Sequence, residues 1–117
     1  MSIYSHLSMR RPDSLQGTLD LLVLKILSRR PRTHGYGIMA AVKDCSDDLL
    51  HVEEGSLYPA LYRMEEAGWI RAEWAMTGSS RKARYYSLTA AGKKQLAARE
   101  KSWEQTVKGV QAILRLA

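Results

Sequence analysis

The chain has 117 residues, 45% of them apolar, enough for one modest core and too few for a second independent domain. Eighteen Lys and Arg against twelve Asp and Glu give a net charge of +6, which suits a polyanionic partner such as nucleic acid or an anionic membrane face. The single cysteine, Cys45, excludes an intrachain disulfide. Neither a signal peptide nor an apolar run of ~18 residues for a membrane span is seen, so the sequence is read as that of a soluble, cytoplasmic protein.

Met1 to Pro12 is mixed polar and basic and reads as a loose N-terminal arm. From Asp13 or Ser14 a helix begins, with Leu15, Leu19, Leu22, Val23, Ile26 and Leu27 at spacings of three and four and Gln16, Asp20 and Lys25 as polar residues between them. Leu21 and Leu24 widen its apolar surface beyond a one-sided stripe, which implies two neighbours: the chain's own core and another subunit. Arg29-Arg30-Pro31-Arg32 stops it. Thr33-His34-Gly35-Tyr36-Gly37 opens a second helix that runs to about Cys45, with Ile38, Met39, Ala41 and Val42 inward. His34 reads as a solvated or capping residue of the turn.

After the loop Ser46 to Val52 comes a short amphipathic helix ending at Gly68. At 100° per residue, Leu57, Ala60, Leu61, Met64 and Ala67 share one arc, with Gly55, Pro59, Tyr62, Arg63 and Glu66 roughly opposite. Glu53 and Glu54 mark its start, with Ser56 available as a cap and Pro59 placed in the first turn. The outer face is small and flat where a solvated face would carry Lys and Glu. Two readings fit it: insertion of its N-terminal half into a DNA major groove, or packing on both sides within one domain.

Past Gly68 the period changes from about 3.6 to 2: Ile70, Ala72, Trp74 and Met76 alternate with Arg71, Glu73 and Ala75 along a strand. Thr77 to Lys82 is a turn, and a second strand runs from Ala83 to Leu88. This hairpin carries Arg81, Lys82 and Arg84 and no acid at its tip. Three helices followed by a hairpin predict a winged helix-turn-helix, with the basic tip on backbone phosphate or a minor groove.

Thr89 is the expected N-cap of a last helix. Leu96, Glu100, Trp103, Val107, Val110, Leu114 and Ala117 step along it as a heptad seam with one charged interruption. A helix this long has little core to bury against, so its seam predicts a homodimer, whose two-fold symmetry matches DNA half-sites about 34 Å apart. Trp103 is either dimer core or one wall of an aromatic ligand pocket. The expected fold class is mainly α with a small β-hairpin. It divides into an arm over 1–12, a winged helix-turn-helix over 13–88 and a dimerisation helix over 89–117.

Nothing in the sequence argues for an enzyme. His6, His34 and His51 are scattered, no metal-ligand spacing or phosphate-binding glycine loop is present, and Asp47-Asp48 and Glu53-Glu54 read as solvated or dipole-stabilising acids. No catalytic residue, cofactor or metal is expected. A protein-interaction module using the Tyr58, Tyr62 and Arg63 face is the competing function.

The runs Gly35-Tyr36-Gly37-Ile38, Glu54-Gly55-Ser56-Leu57-Tyr58-Pro59-Ala60-Leu61, then Trp74, then Arg81-Lys82-Ala83-Arg84-Tyr85-Tyr86-Ser87-Leu88-Thr89-Ala90-Ala91-Gly92 closely resemble the PadR-like transcriptional regulators, in a match spanning about Leu15 to Leu114. The resemblance implies a winged-helix homodimer held by its first and last helices, which assigns Leu15, Leu19, Leu22, Leu96, Trp103, Val107, Val110 and Leu114 to dimerisation. It implies a repressor of an inverted-repeat operator in double-stranded DNA, from the subgroup with one long C-terminal helix. Tyr36, Ser56, Tyr58, Pro59, Tyr62 and Arg63 would face DNA, with Arg81, Lys82 and Arg84 from the wing. Some relatives bind planar aromatic molecules between interface tryptophans, and Trp103 lies at about the matching place.

Overall fold

A computed structural model describes residues 17–78 and 81–117. Its elements in chain order are α1 (residues 17–29), β1 (Thr33–His34), α2 (Gly35–Cys45), α3 (Glu54–Glu66), β2 (Ile70–Thr77), β3 (Arg81–Leu88) and α4 (Ala90–Leu114). The arm over 1–12, the start of the first helix at Asp13 or Ser14, and Leu15 lie outside the described residues.

The core forms where the three short helices meet the base of the hairpin. Val23, Leu24 and Leu27 of α1, Ile38 of α2 and Leu57, Ala60, Leu61 and Met64 of α3 are buried together with Ile70, Tyr86 and Leu96. The apolar arc expected for α3 is the one buried, except that Ala67 is exposed, because the helix ends there and the chain turns outward. Gly68 takes a left-handed φ of +82°, its N–H donates to the Glu65 carbonyl and that of Trp69 to the Met64 carbonyl. That pair of bonds is a Schellman ending, and glycine adopts the required backbone without strain.

The start of α3 differs from expectation. Glu53 is the N-cap, and its carbonyl accepts from the N–H groups of Ser56 and Leu57 at 3.0 and 2.9 Å, so Ser56 lies inside the first turn. Acidic residues there offset the positive end of the helix dipole, so no side-chain cap is needed. Pro59 consequently falls in the second turn, where it has no N–H to offer the carbonyl of Gly55. Both residues are exposed, so the irregularity faces outward.

The sheet has the order β1-β3-β2, all antiparallel. Thr33 and His34, expected to open a helix, instead pair with Tyr86 and Tyr85 of β3. His34 still caps α2, because its Nδ1 accepts from the Gly37 N–H at 3.0 Å. Pairing in the hairpin runs from Ile70↔Leu88 to Thr77↔Arg81, longer than the sequence suggested, so Arg81 and Lys82 lie on β3 itself.

The last helix is stitched to the end of α3. Thr89 caps it by accepting from Gly92 N–H, while the Thr89 N–H and hydroxyl donate to the Trp69 carbonyl, the hydroxyl also reaching that of Gly68 at 2.7 Å. A Cβ at Gly92 would overlap the Trp69 carbonyl oxygen, so glycine permits this approach. Beyond its first turns, which carry Leu96 and Arg99, α4 leaves the core. Its 25 residues span about 37 Å, and the subunit measures 59 × 30 × 26 Å.

Two side-chain expectations are corrected. Asp20 is turned inward, 3% exposed, and its Oδ1 accepts from Arg63 Nη2 at 2.5 Å. Leu96, expected at a subunit interface, is 7% exposed within the subunit's own core, because the first turns of α4 still lie against the body.

Candidate nucleic-acid interface

Tyr58 of α3, the start of α2 and the wing border one concavity of about 400 Å³. Of the residues singled out from sequence, it brings together Tyr36, Tyr58, Arg81, Lys82 and Arg84. Ser56, Pro59 and Tyr62 lie exposed on the adjoining surface of α3. Tyr36 and Tyr62 are about two-thirds exposed, at 66% and 65%, unusual for rings of their size in an isolated subunit.

Tyr58 is held by its neighbours. A Cβ at Gly35 would overlap its hydroxyl, so the glycine at the start of α2 makes the space into which the ring fits. Tyr36 is fixed differently, donating from its hydroxyl to Glu54 Oε1 at 3.0 Å. That bond, with the Glu54 charge, raises the Tyr36 phenol above its usual range, and burial does the same for Tyr58. Both phenols therefore remain neutral at physiological pH; Tyr58 can donate to phosphate or base acceptors, whereas Tyr36 commits its single proton to Glu54 and can accept while that bond holds.

The wing arginines separate into two roles. Arg81 and Lys82 are exposed and appear in no ion pair among the described residues. Arg84, expected at the tip, stands further down the strand, where its Nη2 donates to Glu65 Oε2 at 2.8 Å and its guanidinium lies 5.9 Å from the Trp74 ring centre. It ties the wing to α3, and Glu65 offsets its charge.

Arg63 does not join this face. It is not among the residues lining the concavity: from a flank of α3, roughly 110° from the centre of the buried arc, it reaches back to pair with Asp20 on α1. Trp74 and Thr77 line the concavity although sequence reasoning did not assign them to it, and Glu54, outside its lining, bears on it through its bond to Tyr36. Trp74 was placed on the apolar side of β2, but that side is buried only near Ile70, and by Trp74 the strand has outrun the core, leaving the indole 65% exposed.

The long helix carries a second feature. Trp103 is 47% exposed beside a cleft of about 210 Å³ between α1 and α4, lined also by Leu21, Arg99, Ser102 and Thr106. Val110 and Leu114 are 51% and 76% exposed, and Val107 is half-buried. Leu19 packs on the subunit's own core, and Leu22 is half-buried against α2 in a small apolar cleft with Ile26 and Val42. No group of His, Cys, Asp and Glu that could hold a metal occurs among the described residues, and no described helix is long and apolar enough to cross a membrane.

Comparison with known proteins agrees with this architecture. Residues 23–98 match the transcriptional regulator PadR-like family. A transcriptional regulator from Clostridium thermocellum superposes with a TM-score of 0.79 at 26% identity, covering 88% of this chain and 99% of that one. A PadR family transcriptional regulator from Eggerthella lenta superposes at 0.71 with 31% identity over the whole of both chains, and one from Clostridium difficile at 0.69 with 31% identity, over 82% of this chain and 97% of that one. With the family matched across three helices, the wing and the start of α4, and the whole fold shared, the chain belongs to the PadR-like family of transcriptional regulators and has its winged-helix fold.

Proposed function

We propose that the chain is a sequence-specific DNA-binding repressor that acts as a homodimer on an inverted-repeat operator. The observation that carries this reading is the shared concavity: two neutral tyrosines, Tyr36 and Tyr58, and two cations in no ion pair among the described residues, Arg81 and Lys82, converge beside the small exposed residues of α3. A slim helix edge of Ser56, Pro59 and Tyr62 suits a major groove about 12 Å wide, and the cations suit the flanking phosphates. Arg84 supports the site indirectly, by holding the wing against α3.

Dimerisation is proposed through Trp103, Val107, Val110 and Leu114 of α4. An exposed heptad seam on a helix that projects from the body is a surface that a second copy would cover. A small aromatic ligand seated against Trp103 is the proposed release signal, in the cleft bordered by Leu21, Ser102 and Thr106.

The test is selection of bound fragments from genomic DNA, followed by gel retardation of the enriched fragment against a scrambled one. Enrichment of an inverted repeat supports the reading. If no fragment is preferred over the scrambled control and a stoichiometric protein partner is recovered instead, the exposed Trp74, Met76 and Tyr62 are a protein-docking surface.

A further inference from the structure

Beneath the outward face of α3, one carboxylate from α1 holds arginines from two other helices. Asp20 Oδ1 takes Arg63 Nη2 of α3 at 2.5 Å, and Oδ2 faces Arg99 Nη1 of α4 at 3.7 Å. The Arg99 guanidinium in turn lies 4.9 Å from the ring centre of Trp69, whose backbone carbonyl receives the Thr89 bonds that anchor α4. Three helices thus converge on a residue that is 3% exposed.

Cohesion does not call for a charge there. Val23, Leu24, Leu57, Leu61 and Met64 already fill the α1–α3 contact and are fully buried. A buried acid carries a desolvation cost that an apolar residue of similar size would not, so an ion network of this kind is weak evidence of added stability. What the network adds is direction. Apolar ridges fit apolar grooves over a spread of roughly 15–20°, whereas a charged hydrogen bond fixes distance and angle together.

We propose that Asp20 is a positioning residue: through Arg63 and Arg99 it sets the angle of α3 against α1 and α4, so that α3 and the wing meet the same duplex. The proposal rests on the DNA-binding reading for its consequence, but not for its geometry. It also gives Arg63 a role: reaching from the flank of α3 to Asp20, it orients the helix that carries Tyr58 and Tyr62 outward.

The test uses the full chain carrying Asp20→Ala, Asp20→Asn or the double change Asp20→Leu with Arg63→Met, followed by amide hydrogen exchange, melting temperature and affinity for the enriched genomic fragment. Asp20→Ala removes both acceptors, and amides of α3 should exchange about tenfold faster or more while those of β2 and β3 keep their protection. Affinity for the fragment should fall about tenfold or more, with affinity for random-sequence duplex little changed. Asp20→Asn keeps one acceptor oxygen and should fall between. The double variant restores an apolar fit between α1 and α3 and leaves Arg99 its contact with the Trp69 ring, so its melting temperature should exceed that of Asp20→Ala while the loss of fragment affinity remains.

A double variant that binds the fragment like wild type would make the network structural only and overturn the proposal. Unchanged α3 exchange in both Asp20→Ala and Asp20→Asn would overturn it as well. If wild type prefers no fragment at all, the DNA-binding reading fails, and the exchange of α3 decides the role of Asp20 by itself.

Discussion

The Tyr58 hydroxyl lies so close to the α carbon of Gly35 that a methyl group there would overlap it. Gly35 is the first residue of α2 and Tyr58 stands in the second turn of α3, so this contact joins the two helices of the helix-turn-helix at the floor of the concavity. Gly35→Ala is expected to displace the ring and to cost about 1–3 kcal/mol, as overpacking of a filled site does. Urea denaturation should read the loss, and the variant should retain less DNA than its residual stability alone predicts. An unaltered midpoint would contradict the contact.

Two helical glycines should respond in opposite directions. Gly92→Ala forces a Cβ into the Trp69 carbonyl oxygen, a backbone atom held by Thr89, so melting should occur at a clearly lower temperature. Gly109 has open space around it in the C-terminal part of α4, where alanine should stabilise the helix by roughly 0.5–1 kcal/mol. Thermal melts of the two variants side by side check the pair, and a gain at both positions would show the α3–α4 junction to be looser than described.

Asp20 supplies a pH dependence. Burial raises its carboxyl above 3.8, the value of the unperturbed group, against the opposing pull of Arg63 and Arg99. Between 3.8 and the raised value the folded chain binds more protons than the unfolded one, so the contribution of Asp20 to stability grows as pH falls through that window and is lost as pH rises through it. The melting temperature of wild type relative to Asp20→Asn should therefore shift in favour of wild type between about pH 7 and about pH 4. A shift the other way would mean that the arginines outweigh burial.

The exposed seam of α4 predicts an assembly. Val110→Asp or Leu114→Asp should convert a sedimenting dimer to monomer at micromolar concentration, and Trp103 emission should move to longer wavelength as its surroundings become wet. Wild type sedimenting as a monomer would remove α4 as a dimerisation helix.

The inward side of α3, the period change at Gly68 and the Thr89 cap were legible because each depends on local spacing or local chemistry. Leu57, Ala60, Leu61 and Met64 needed only the helical repeat. What stayed hidden was decided by partners distant in sequence. Thr33 and His34 form a strand because β3 passes beside them, and two residues have no period to read. Arg63 and Asp20 are 43 residues apart, and nothing local tells an arginine on a helix flank whether to turn out to phosphate or in to a carboxylate. Leu96 falls in the same heptad register as Trp103, Val107 and Val110, although the first turns of that helix still touch the chain's own core.

The measurement closest to the central claim is the salt dependence of binding to the enriched genomic fragment, for wild type, Arg81→Ala, Lys82→Ala and Arg63→Ala. Each wing variant should lower the slope of log affinity against log salt by about 0.9, one released counterion per lost phosphate contact, while Arg63→Ala weakens binding with the slope unchanged. Slopes indifferent to Arg81 and Lys82, or a loss of one unit at Arg63, would contradict the assignment of the wing and the concavity to DNA.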